Sequence, residues 1–247
     1  DGYLPFGLGD WVYWKATTNN EYTSTAYYYL DYKLMARFAS LLGKDATPYQ
    51  EKANTLKSLI NQKFFNAETG VYAEGTQTAQ ALYLGLVPEG KEQLVADKLR
   101  EVVAGNNYFL DFGLLGSKTV PAMLTKYGYI EDVMKMITKT EAPSWGYWVE
   151  TMGYSTLPET WTLSPKFADA SLNHVFMGDV SAWMMNQLAG INHDDSDPGF
   201  RHIRITPHFV KELDWAKGEY HSVRGRIASE WKREGDKVML TVTIPAD

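Results

Sequence analysis

The sequence predicts a mainly α-helical chain, in which helices pair into antiparallel hairpins, followed by a short all-β tail. Two observations carry this prediction. Apolar residues recur at helical spacing between turn residues over most of the chain, and they alternate with polar residues near its end. Paired helices joined by short turns are typical of a helical bundle or of a toroid of hairpins.

The first hairpin is the clearest helical element. Helical spacing predicts one helix from Ser24 to Leu42, with Gly43 as its C-terminal cap. The second helix is predicted to begin at Thr47, as a capping residue, with Pro48 in its first turn. The buried stripes are predicted to be Leu30, Leu34, Phe38 and Leu41 in the first helix, and Ala53, Leu56, Ile60 and Phe64 in the second.

The same pattern predicts four more helices and then a last, longer one. The four cover residues 76–86, 91–103, 118–127 and 131–138. The last helix is predicted from about Leu172 to Leu188 and ends at Gly190. Its apolar side is predicted to consist of Phe176, Val180, Trp183, Met184 and Leu188.

A polar, turn-rich loop at 192–199 separates the predicted helices from segments with the spacing of β-strands. The segments that follow, around Ile203, at 225–231 and at 238–244, predict three or four strands. We therefore expect a helical domain over 1–192 and a β domain over 193–247. The final strand has nothing after it to pair with and the chain does not open with methionine, so a fragment of a longer protein is expected.

The amino-acid composition excludes several classes of partner and of chemistry. Lysine and arginine total 24 against 30 acidic residues, and the net charge of −6 argues against nucleic acid or an anionic membrane as the partner. The absence of cysteine excludes disulfides and thiolate nucleophiles. No stretch is apolar enough to span a bilayer, and the first residues do not form a signal peptide. Aromatic residues reach 14%, which suits a neutral sugar ligand, although most such rings pack in cores.

Several short segments follow one another in a defined order along the chain. They are Gly9-Asp10-Trp11, Gln77-Thr78-Ala79-Gln80-Ala81, Phe112-Gly113-Leu114-Leu115-Gly116, Pro143-Ser144-Trp145-Gly146-Tyr147, Pro158-Glu159-Thr160-Trp161, Ser171-Leu172-Asn173-His174, Ala189-Gly190-Ile191, Pro198-Gly199-Phe200, Ile203-Arg204-Ile205-Thr206-Pro207, Gly225 and Trp231. Their order and spacing resemble glycoside hydrolase family 78, the bacterial α-L-rhamnosidases, over essentially the whole chain. This resemblance implies an (α/α)6 toroid of which the chain holds the C-terminal portion, followed by an incomplete antiparallel β-sandwich. It also implies inverting hydrolysis of terminal α-L-rhamnosides without a cofactor or metal.

Glu159 is the predicted catalytic residue. Inversion requires one carboxylic acid that protonates the leaving oxygen and one carboxylate that activates water on the opposite face of the sugar. By the resemblance, Glu159 matches the general base. The family's general acid precedes the Gly-Asp-Trp segment in an arginine- and aspartate-rich motif that has no counterpart here. Asp10, Glu21 and Asp111 are formal alternatives, but the chain alone is predicted to be catalytically incomplete.

Four further residues are predicted to contact substrate. Trp11 is the expected sugar platform, while Asp10 either accepts sugar hydroxyl groups or orients its loop. Trp145 is expected to line the cleft that holds the sugar. Its sequence context is equally compatible with packing in the core. His174 matches a family position that contacts the bound sugar, and a neutral imidazole can donate to one group and accept from another.

One departure from the family pattern and two rival functions stay open. Pro158 directly precedes Glu159, where it restricts the backbone and indicates either a subfamily trait or altered substrate choice. The first rival is a non-catalytic carbohydrate-binding relative, since a fold does not fix a function. The second is another toroid enzyme, a lyase or an epimerase. The predicted partners are a rhamnose-containing glycan and the upstream part of the same polypeptide, in a periplasmic or secreted parent protein.

Overall fold

The computed structural model describes residues 2–11, 14–15, 17–161, 170–194 and 196–246. It divides into two compact units, Asp1–Met177 and Gly178–Asp247. The second unit includes helical residues that the sequence analysis assigned to the first domain. The predicted domain boundary near residue 192 stays a prediction.

The first unit begins with the predicted hairpin of helices α1 (Asn20–Leu41) and α2 (Thr47–Phe64). Its turn follows the predicted pattern, because Gly43 has a φ of +64° and Lys44 N donates to Ala39 O at 2.8 Å. Glycine favours this left-handed conformation at the end of a helix. At its start, α1 is capped by the Asn19 side chain, which accepts a bond from Tyr22 N at 2.9 Å.

Two details of this hairpin were predicted wrongly. Thr47 is the first helical residue and not the cap; its backbone N–H donates to the Asp45 side chain at 2.9 Å. On α1, Phe38 and Leu41 are exposed, because a helical apolar period does not say which face the neighbouring helices cover. The residues of α1 that are buried are Tyr22, Thr23, Thr25, Ala26, Tyr29, Ala36 and Ala39, whereas the predicted stripe of α2 is buried throughout.

A short hairpin of β1 (Phe65–Asn66) and β2 (Val71–Tyr72) leads to four more helices. All four predicted helices are present, and α5 begins four residues before its predicted start, at the Gly113-Leu114 step. These helices are α3 (Gln77–Leu84), α4 (Glu92–Gly105), α5 (Leu114–Lys126) and α6 (Ile130–Thr138).

The predicted last helix differs in start and in type. It does not begin at Leu172: a 3-10 turn covers Val175–Gly178, and the second unit then contains α7 (Asp179–Trp183) and a π turn (Met184–Leu188). Val180, Trp183 and Leu188 are buried as predicted, but Phe176 and Met184 are exposed. Gly190, with a φ of +77°, ends the helical run as predicted.

The rest of the second unit is antiparallel β structure, which confirms the predicted β tail. Its core contains Ile227 and Trp231, and the Trp231 indole donates to Leu188 O at 2.7 Å. The β3 and β5 segments were not predicted. The pairs are β3 (Ile191–His193) with β4 (Ile203–Ile205), and β6 (Gly225–Glu234) between β5 (Trp215–Ser222) and β7 (Lys237–Thr243). Among the described residues, no helix has the length and apolarity that a membrane crossing requires.

Candidate active site

The predicted site residues all belong to the first unit, and the start of α5 organises them. Asp10 is only 1% exposed, and its carboxylate accepts hydrogen bonds from the backbone N–H groups of Gly113, Leu115 and Gly116 at 2.7 to 3.2 Å. A helix leaves its first amides without intrahelical partners, and the N-cap residue Gly113 has no side chain to satisfy them. Asp10 therefore caps α5 from more than 100 residues away in sequence.

Trp11 is held at the same helix start by its backbone. Leu114 N donates to Trp11 O at 2.9 Å, so four successive amides, from Gly113 to Gly116, bind Asp10 or Trp11. The Trp11 side chain is 39% exposed, in contrast to its buried neighbour. An anchored backbone with a partly exposed indole suits a stacking platform.

Two glycines make this close approach possible. A Cβ added to Gly113 would lie 2.0 Å from Trp11 O and 2.3 Å from Asp10 O. A Cβ added to Gly116 would lie 2.7 Å from the Asp10 carboxylate and 2.4 Å from Phe112 Cβ. All four distances are too short for a Cβ atom. Positions 113 and 116 therefore require glycine where the loop that carries Asp10 and Trp11 packs against α5.

An aromatic cluster connects the Glu159 segment to the same helix start. The Trp161 indole donates to Phe112 O at 2.6 Å and stacks on Trp148, with ring centroids 4.6 Å apart. Trp145 packs edge-on against Trp161 at 5.6 Å and donates to Met177 O at 3.1 Å. All three tryptophans are buried, and Trp161, two residues after Glu159, anchors the Glu159 segment in this packed cluster.

Glu159 and His174 lie on two segments that pair with each other. Glu159 N donates to Ser171 O at 2.8 Å, and His174 N donates to Leu157 O at 2.8 Å. The Glu159 carboxylate also accepts a longer bond from Ser171 N at 3.2 Å. Both residues stay partly exposed in this pairing. Residues 162–169 of the connecting segment lie outside the described residues.

The environment of His174 indicates a tautomer. Phe176 N donates to the imidazole Nδ1 at 3.4 Å, and the Phe176 ring meets the imidazole edge-on at 5.2 Å between centroids. A neutral imidazole that accepts at Nδ1 carries its proton on Nε2. Nε2 is then a donor that suits a hydroxyl group.

The α5 start therefore connects the segments of Trp11, Glu159 and His174. Besides its bonds to Asp10, Trp11 and Trp161, it reaches the third segment through the buried Ser117 hydroxyl, which lies 3.0 Å from Phe176 O and 2.7 Å from Leu114 O. Residues 112–116 were predicted to be part of the family pattern, without a role of their own. Two glycines three residues apart at the start of a helix are the signal that would have indicated a close backbone approach.

Two predicted contact residues are buried. Asp10 has both carboxylate oxygens bonded to backbone amides, which is the loop-orienting alternative of the sequence analysis. Trp145 is 3% exposed, and its contacts are those of core packing. Substrate contact by either residue stays a prediction.

The alternative acids also have partners. Glu21 forms an ion pair with Lys63 at 2.7 Å, and Asp111 accepts a bond from Lys15 N at 2.8 Å. Burial raises the pKa of Asp10 above its ordinary 3.8, and the hydrogen bonds from Gly113, Gly116 and Leu115 oppose this rise. In the part of the chain that the structure describes, no group of three or more histidine, aspartate or glutamate side chains could hold a metal ion.

Comparison with known families agrees with this architecture. Residues 1–188 match the model of the bacterial α-L-rhamnosidase six-hairpin glycosidase domain, and residues 190–247 match that of the bacterial α-L-rhamnosidase C-terminal domain. The chain belongs to the bacterial α-L-rhamnosidase family. This membership confirms the predicted family and the predicted fold class, a part of the helical toroid followed by an antiparallel β domain.

Curated relatives in this family are α-L-rhamnosidases. The chain is 29% identical to an α-L-rhamnosidase of Streptomyces avermitilis, in an alignment that covers 97% of the chain and 24% of the relative. It is 28% identical to one from Formosa agariphila, covering 99% of the chain and 28% of the relative. The chain thus spans about a quarter of the length of these relatives.

Solved structures give the same result. The structure of the Streptomyces avermitilis α-L-rhamnosidase in complex with L-rhamnose matches with a TM-score of 0.90 at 26% identity, over 98% of this chain and 24% of that one. The α-L-rhamnosidase from Dictyoglumus thermophilum matches with a TM-score of 0.88 at 32% identity, over 99% of this chain and 28% of that one.

Proposed function

We propose that this chain is the base-carrying part of an inverting α-L-rhamnosidase. Its substrate class is a glycan or glycoside that ends in α-L-rhamnose. The observation that carries this proposal is the convergence on the α5 start of three segments, which present a partly exposed carboxylate, imidazole and indole. The family membership of the whole chain supports the substrate class.

Glu159 acts as the general base in this proposal. Its carboxylate removes a proton from the water that attacks the anomeric carbon, while an acid on the other face protonates the departing oxygen. The pairing of Glu159 with Ser171 and the packing of Trp161 fix the backbone on both sides of the carboxylate. Pro158 is buried directly before it, and its ring limits the local backbone further.

Trp11 and His174 bind the sugar. The Trp11 indole offers an apolar face to the C–H groups of the ring, and His174 Nε2 donates to a hydroxyl group. In this proposal the buried residues Asp10 and Trp145 do not contact the sugar. They hold the loops that carry Trp11 and His174. A neutral sugar suits the acidic composition of the chain.

The acid comes from the upstream part of the same polypeptide in this proposal. Its support is that the relatives that match are about four times as long as the aligned chain. Exposed apolar side chains in the first unit support this proposal, because exposed apolar surface is typical of interaction sites. They include Met35, Phe38 and Leu41 of α1, Leu42 directly after it, and Val149, Met152, Leu172, Val175 and Phe176.

Hydrolysis of an aryl α-L-rhamnoside by the complete polypeptide tests the proposal. We expect Glu159→Gln to lower kcat by orders of magnitude without a change in Tm, since it removes the base and keeps the shape. Glu150→Gln is the matched control, because Glu150 is an exposed glutamate nine residues earlier. Proton NMR of the first product is expected to show β-L-rhamnose, as inversion requires.

Two results would contradict the assignment. Normal turnover by Glu159→Gln excludes this residue as the base. Binding of L-rhamnose by the complete wild-type polypeptide without any hydrolysis favours the carbohydrate-binding rival. Turnover by the 247-residue chain alone would contradict the upstream acid.

A further inference from the structure

We infer that Asp10 is a positioning residue for Trp11, acting through the first turn of α5 and not through contact with the sugar. Four observations carry this inference: the burial of Asp10, the saturation of its carboxylate, the docking of Trp11 O on the same turn, and the two glycines that permit the approach. The role of Trp11 as a sugar platform rests on the proposed function, but its positioning by Asp10 does not.

The hydrogen bonds at Asp10 require a carboxylate, because both of its oxygens must accept. Gly113 and Gly116 donate to Oδ2, while Leu115 and Gly116 donate to Oδ1, so each oxygen meets only donors. A negative charge at a helix N-terminus is also favoured by the helix dipole. An asparagine would turn an NH2 group toward one set of these donors, where it could accept nothing.

The bonds of Asp10 restrict the position of the next residue, Trp11. Asp10 and Trp11 are adjacent, and the Leu114 amide that binds Trp11 O lies within the run of amides that bind Asp10. Fixing the backbone on both sides of the Trp11 Cα limits the directions in which its indole can point. A ring held in advance loses less entropy when the sugar binds than a ring on a free loop.

The first experiment needs no catalytic activity. The complete polypeptide is labelled with 5-fluorotryptophan, and the Trp11 resonance is assigned as the one that Trp11→Phe removes. We expect Asp10→Asn to shift or broaden this fluorine resonance while the buried Trp231 resonance of the second unit stays in place. Asp132→Asn is the matched control, because it removes the charge of another buried aspartate of the first unit, on α6, and we expect it to leave the Trp11 resonance unchanged.

The second experiment uses the complete polypeptide at a temperature well below the Tm of each variant. We expect Asp10→Asn to raise KM for an aryl α-L-rhamnoside about fivefold or more with kcat within about twofold, the signature of lost binding. Asp132→Asn is expected to change neither constant. If Asp10→Asn does not fold, Asp10→Glu keeps the charge but displaces it by one methylene, and we expect smaller changes of the same kind.

The outcomes separate this inference from the proposed function. An unchanged Trp11 resonance in a folded Asp10 variant overturns the inference, whatever the kinetics. A changed resonance with KM and kcat both unchanged supports positioning and contradicts the platform role of Trp11 in the proposed function. A fall in kcat with unchanged KM would mean that Asp10 acts on the chemical step, which also overturns the inference.

Discussion

Asp10 and Asp132 are both buried in the first unit, yet they are stabilised by different groups. Asp10 is 1% exposed, and among the described residues its carboxylate binds backbone amides. Asp132 is 3% exposed and binds Arg100 at 2.6 Å and Lys135 at 2.8 Å. Burial raises the pKa of Asp10. At Asp132, burial also acts to raise the pKa, but the hydrogen bonds and charges of Lys135 and Arg100 outweigh it and lower the pKa.

The two buried aspartates therefore have different structural roles. The Arg100 ion pair connects α4 with α6, and the Lys135 ion pair lies within α6. Both pairs use long, half-exposed cationic side chains, which tolerate movement. The Asp10 bonds connect a loop to a helix start through backbone groups, whose geometry is fixed by the helix itself. A loop that presents a binding residue gains more from the second arrangement, because its position is then set within a narrow range.

The largest expected effect is at the glycine that receives the loop. Gly113→Ala places a Cβ where Trp11 O and Asp10 O now lie, so either the loop or α5 must move. We expect the free energy of unfolding to fall by roughly 3 kcal/mol or more, as measured by urea denaturation. Gly105→Ala is the control, since a Cβ there meets no atom within 4 Å. Equal stability of Gly113→Ala and the wild type would show that the loop is not docked on α5.

A smaller effect is expected at the second attachment to the same helix start. Trp161→Phe removes the indole N–H that binds Phe112 O and leaves this buried carbonyl without that donor. The expected loss is about 1 to 3 kcal/mol in the free energy of unfolding. Trp215→Phe serves as the control because Trp215 is exposed in the second unit. A loss no larger than that of the control would contradict the structural role of this bond.

The smallest expected effect is at the ion pairs, and it depends on pH. The folded pKa of Asp132 lies below its ordinary 3.8, so its contribution is present above about that pH and is lost as pH falls through the lower folded pKa. We expect Asp132→Asn to cost about 1 kcal/mol near neutral pH, because both cations are half exposed. The difference from the wild type should shrink below pH 4; a difference that stays constant into acid would exclude the ion pairs as its cause.

The fold class, the family and most helices could be predicted from the amino-acid sequence. Repeated apolar spacing with turn residues at Gly43 and Pro48 predicted the first hairpin, and alternation predicted the last strand, because such patterns reflect the local geometry of each element. The order of short motifs predicted the family and selected Glu159, Trp11 and His174 as candidates.

Which of these residues face solvent, and which groups hold them in place, could not be predicted without the folded structure. Local spacing cannot tell whether Phe38 lies against another helix, nor that Asp10 caps a helix that begins over 100 residues later. Burial and long-range hydrogen bonds depend on which segments meet in the fold. For that reason the sequence left Asp10 between a sugar ligand and a loop anchor, and the contacts of its carboxylate favour the anchor.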